Sequence, residues 1–60
     1  MTRKQLIRKL EEVRTELELY IHLGDDAIEC GEYDISESWF KKAETKSEES
    51  EIIIRQLEIT

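Results

Sequence analysis

Apolar residues recur at Leu6, Leu10, Val13, Leu17, Tyr20, Leu23 and Ala27, in steps of three and four. That spacing draws one stripe along an α-helix and does not suit a strand, where every second residue shares a face. Ile7, Leu19 and Ile28 widen the stripe. Thr2, followed three residues later by Gln5, reads as a capping box that starts this helix. Gly31, directly after Cys30, suits a left-handed C-cap. A second stripe follows, made of Ile35, Trp39, Phe40, Ala43, Ile53, Ile54 and Leu57, with the small residues Ser36, Ser47 and Ser50 between them. Asp34, with Glu37 three residues later, reads as its N-cap pair. The spacing predicts helices over about 3–30 and 34–58, joined by a turn at 31–33.

A turn that short makes the helices antiparallel neighbours. Counting outward from it sets Ala27 near Ser36, Leu23 near Phe40, Tyr20 near Ala43 and Leu17 near Ser47. Val13 then falls near Ser50, Leu10 near Ile54 and Leu6 near Leu57. Large residues oppose small ones through the middle, so the helices can approach closely. The expected fold is all-α, with residues 1–60 forming one antiparallel helical hairpin.

Residues 17–50 carry a further pattern. Tyr20, Leu23 and Gly24 are followed by the turn Gly31-Glu32-Tyr33-Asp34, and then by Ser36, Phe40 and Ala43. In register and without gaps, this resembles a single tetratricopeptide repeat. Ala27 stands where the family has a large aromatic, and Glu48 where it closes on proline. The resemblance implies a helix-turn-helix geometry and a role in binding protein. A lone repeat leaves one face uncovered, since about three are needed to bury a core.

Length sharpens that point. A sixty-residue chain buries only about 60% of its unfolded surface and is marginal alone. Cys30 has no partner for a disulfide within the chain. We therefore expect self-association, as a homodimer forming a four-helix bundle. Net charge is −6, with five cations against two carboxylates in residues 1–14 and four against thirteen beyond. That acidity opposes nonspecific nucleic-acid binding, which needs a basic face. The basic start is expected to balance the acidic second helix. The longest apolar run, Ile52-Ile53-Ile54, is too short for a membrane span, and residues 1–14 lack a secretory core, so a cytoplasmic protein is expected.

Little here suggests chemistry. His22 has Glu18 and Asp26 one turn away, but zinc wants several His or Cys ligands and the chain has one of each. Cys30 is expected to be buried and unreactive. Asp25, Asp26, Glu29 and Glu32 crowd the hairpin tip without the spacing of a calcium loop. Trp39 and Phe40 are adjacent and point to different faces. Phe40 belongs to the stripe, so Trp39, with Ile28, Ile35 and Ile53, is assigned to a second apolar face available for protein contact. The expectation is a non-catalytic interaction or regulatory module without cofactor, metal or small-molecule substrate. The alternative is an acidic inhibitor or nucleic-acid mimic, of a kind encoded by mobile elements, whose tip and second helix enter a basic groove.

Overall fold

The computed structural model describes residues 1–59. They form two helices, α1 (Arg3–Glu29) and α2 (Tyr33–Ile59), packed against each other as a hairpin. The hairpin extends over 44 × 14 × 12 Å, a single layer two helices wide.

Each end of α1 is set by local chemistry. The Gln5 amide N–H donates to Thr2 Oγ1 at 3.2 Å, and the Thr2 N–H donates to Gln5 Oε1 at 2.8 Å, completing the capping box. At the other end Gly31 adopts φ of 78°, where a side chain would be strained. Its N–H donates to the Ile28 carbonyl at 3.0 Å and the Glu32 N–H to the Ala27 carbonyl at 2.8 Å. This pair of bonds is a Schellman motif, and it reverses the chain. The Ser36 N–H then donates to the Glu32 carbonyl at 3.0 Å, so α2 starts at Tyr33. Asp34 is consequently not the N-cap expected from sequence; it lies in the first turn, where its charge meets the positive end of the helix.

The interior has two halves. Toward the open end, Leu6, Val13 and Ile53 form a buried cluster with Leu10 and Leu57 packed against it. Toward the turn, the buried positions are Gly24, Ala27, Ser36 and Ala43, all small. Phe40 covers Gly24 so closely that a methyl there would come within 2.7 Å of Cε1. The close approach is thus Gly24 of α1 under the Phe40 ring of α2, where the sequence count set Leu23 opposite Phe40. Ser47, placed on the stripe from sequence, is exposed.

Neither helix has a basic residue in its last turn. Arg3 supplies a cation across the hairpin instead, donating from Nη1 to the Leu57 carbonyl at 3.2 Å. The ion pair joining the helices at mid-length has the opposite polarity to the expected one: Lys46 of acidic α2 reaches Glu16 of α1 at 2.8 Å.

Candidate interaction surface

With one layer of two helices, each broad side of the hairpin is open, and the two sides differ. On the first, Trp39 stacks on Tyr20 across the helix pair, with ring centroids 5.7 Å apart and planes 22° from parallel. Lys42 Nζ lies 4.7 Å from the Trp39 ring centre, a cation–π contact. One helical turn on, Lys46 bridges Glu16 and, at 3.5 Å, Glu49. Farther along, Met1, Lys9, Glu49, Ile52, Ile53 and Gln56 line a shallow groove of about 370 Å³. Trp39 is half-buried here by contacts within the chain.

The hydrogen bond to Glu16, aided by the nearby charges of Glu16 and Glu49, holds the Lys46 ammonium above its ordinary pKa of 10.5, against a weaker opposing effect of burial. A raised pKa in a cation means stability that is full below the unfolded value and lost as pH rises through the folded one. The urea midpoint of the wild-type hairpin should therefore exceed that of Lys46→Gln at neutral pH. The gap should close in strongly alkaline solution. A gap that persists unchanged to the alkaline limit would place the Lys46 contribution in its packing and not its charge.

The second side is built around Phe40. Phe40 rides over Gly24, and Leu10, Leu17 and Ile54 are half-buried along the same side. Beside them on α1 run Ile7, Ile21 and Ile28, seven residues apart or multiples of seven, with Arg14 in the intervening place. Residues so spaced stack on one line of a helix. Ile21 is 40% exposed and Ile28 42% exposed, more than a core position would be. Ile21 was not singled out from sequence; its seven-residue spacing from Ile28 is the signal that finds it.

The four residues assigned to one apolar face do not share one. Ile28 belongs to the Phe40 side. Ile35, 49% exposed, falls on the Trp39 side, in line with Lys42 and Glu49. Ile53 is corrected outright: it is 4% exposed and part of the core. The reason is its line on the helix. Ile53 follows Trp39 and Lys46 at seven-residue intervals, and both of those touch α1.

The remaining candidates are on the surface. Asp25, Asp26, Glu29 and Glu32 are all exposed. Asp25 and Glu29 lie one turn apart on one bearing of α1, while Asp26 points about 100° away from Asp25. Cys30 is exposed, contrary to the expected burial, because the C-cap position carries it out of the helix interface. His22 is exposed too. Among the described residues, no three His, Cys, Asp or Glu side chains come together to hold a metal. No described helix is long and apolar enough to cross a membrane. Comparison of the chain with family models, with curated proteins and with solved structures finds no match.

Proposed function

We propose that this chain is a non-catalytic protein-binding hairpin whose working surface is its apolar Phe40 side. The observation that carries the reading is the line of Ile7, Ile21 and Ile28, large apolar side chains left half-exposed beside Leu17, Phe40 and Ile54. A folded monomer gains nothing by leaving such a strip in water, whereas a partner covering it removes that area from solvent. The positive-φ Gly31 turn and the Gly24–Phe40 contact support a tetratricopeptide-like unit standing alone, which by its nature has an uncovered side. Self-association into a four-helix bundle is the homotypic form of the same reading. The thin core, in which none of the described side chains is fully buried, favours some such cover.

The acidic inhibitor or mimic is the second reading. It draws support from Glu37, Glu44, Glu51 and Glu58, which repeat every seven residues along α2. Lys41 and Arg55 break up the surrounding carboxylates, and Lys41 already pairs with Glu37 at 3.6 Å. We therefore rank it below the apolar surface.

Site-specific photo-crosslinking in the native cells tests the proposal. A photoreactive residue at Ile21 or Ile28 should yield a discrete protein adduct, either of a second copy or of another chain. The same residue at Thr15 or Thr45, both on the outer surface, should yield none. Absence of adducts at Ile21 and Ile28, or equal adducts at all four positions, would reject the Phe40 side as a binding surface.

A further inference from the structure

We propose that the Phe40 side takes a basic amphipathic helix of another protein, laid lengthwise between α1 and α2 as a third helix. The proposal rests on the protein-binding reading above and adds the chemistry of the partner. The apolar strip has the dimensions of a helix. From Ile7 to Ile28 it runs about 30 Å, the length of roughly 20 helical residues. Its floor follows the seam between the two helices, with Leu17 and Ile21 on one bank and Phe40 and Ile54 on the other. An amphipathic helix with apolar residues every three or four positions fills such a seam.

Charge decides between occupants. The outer border of the strip on α2 is the row Glu37, Glu44, Glu51 and Glu58, all exposed. On α1 the positions just beyond the isoleucine line, again at seven-residue spacing, are Lys4, Glu11, Glu18 and Asp25, all exposed, so this border is acidic only from Glu11 toward the turn. Arg14 offsets one of these charges, since it stands three residues after Glu11 and four before Glu18. The strip is thus apolar at its centre, bordered along α2 by carboxylates with Lys41 and Arg55 among them, and acidic on α1 in the half toward the turn, at Glu18 and Asp25. A helix with an apolar stripe flanked by Lys and Arg matches both properties. A second copy matches less well, because it brings its own α2 carboxylate row and a net charge of −6. An anionic membrane surface would be repelled in the same way.

The test uses the whole chain and synthetic peptides of about 20 residues. One peptide has a Leu stripe with Lys flanks, a second the same stripe with Glu flanks, and a third the Lys flanks with Ser replacing the stripe. Titration is followed by fluorescence anisotropy of the labelled peptides. The first peptide should bind at least about tenfold more tightly than either control, several flanking charge pairs together supplying that ratio. Its affinity should fall as salt rises. Ile21→Ser with Ile28→Ser should weaken it at least about tenfold. Glu44→Gln with Glu51→Gln should weaken it and flatten the salt dependence, while Lys42→Gln on the opposite side leaves it unchanged. Should the isoleucine variant lose helicity by circular dichroism, the glutamate variant, altered at exposed positions, and the peptide controls still decide the matter.

Equal binding by the Lys- and Glu-flanked peptides would overturn the proposal, as would equal binding by the stripe-less peptide. A hairpin dimer sealed through Ile21 and Ile28 in sedimentation equilibrium would overturn it in favour of a second copy. In each of these cases, position-specific crosslinks at Ile21 and Ile28 would leave the broader protein-binding reading standing. Without those crosslinks the broader reading falls as well.

Discussion

Ile53→Ala is expected to destabilise the hairpin by about 2–4 kcal/mol, the usual cost of removing most of a buried isoleucine and leaving a cavity. The neighbouring change Ile52→Ala should shift stability by no more than about 0.5 kcal/mol, as an exposed substitution does. The contrast follows from exposure: Ile53 is 4% exposed and packs with Leu6 and Val13, while Ile52 is 54% exposed. For a chain of sixty residues, total stability is expected to be about 3–9 kcal/mol. The Ile53 variant should therefore lose a large share of it, visible as a lower urea midpoint in far-ultraviolet circular dichroism. If it proves too unstable to titrate, Ile53→Val gives a graded reading, at a loss of about 1 kcal/mol. Equal effects at positions 52 and 53 would mean that α2 is rotated about its axis relative to this structure.

Gly24→Leu is the second large effect, with an expected loss of about 1–3 kcal/mol through overpacking, despite better helix propensity. A Cβ at this position would meet Phe40 Cε1 at 2.7 Å and Cζ at 2.8 Å. The ring can swing, since it is half-buried and sits at the edge of the hairpin. A lone methyl is thus partly tolerated, but a leucine has no room unless the ring leaves. The discriminating measurement is a double-mutant cycle. In a Phe40→Ala background the clash is gone, so Gly24→Ala should raise stability by about 1 kcal/mol through propensity alone. In the wild-type background the same change should gain clearly less. Equal gains in both backgrounds would show that Gly24 and Phe40 are not in contact.

The helices were legible because their signals are local. Thr2 and Gln5 cap α1 through bonds three residues apart, and the Gly31 turn needs only a residue free to take positive φ. The stripes were legible because burial selects positions three and four apart. Asp34 is not the cap because α2 starts at Tyr33, with Glu32 in the cap place two residues before the acidic pair suggests, as the Ser36–Glu32 bond shows. Cys30 was misread because residue type predicts burial on average, whereas the C-cap faces outward in this turn.

The division between the two apolar sides was not legible in the same way. A helix stripe has a width of several positions, and an ideal helix drifts about 20° per seven residues against a seven-residue repeat. Ile53 looked peripheral when counted from Ser36, yet the line of Trp39, Lys46 and Ile53 stays against α1. Trp39 looked free to bind a partner, but Tyr20 of the other helix takes one face of its ring and Lys42 lies 4.7 Å from its centre.

By itself, then, the order of residues determined two helices, their antiparallel pairing and the caps of the first, because each depends on contacts within a few residues or on a short connection. Only the tertiary structure decided which bearing of each helix faces the other. That choice depends on how Phe40 seats over Gly24 and how Lys46 spans to Glu16, contacts between residues 16 and 30 positions apart in the chain. It put Ile53 inside, drew Trp39 into the hairpin, and left Ile21 and Ile28 facing water between two rows of carboxylates.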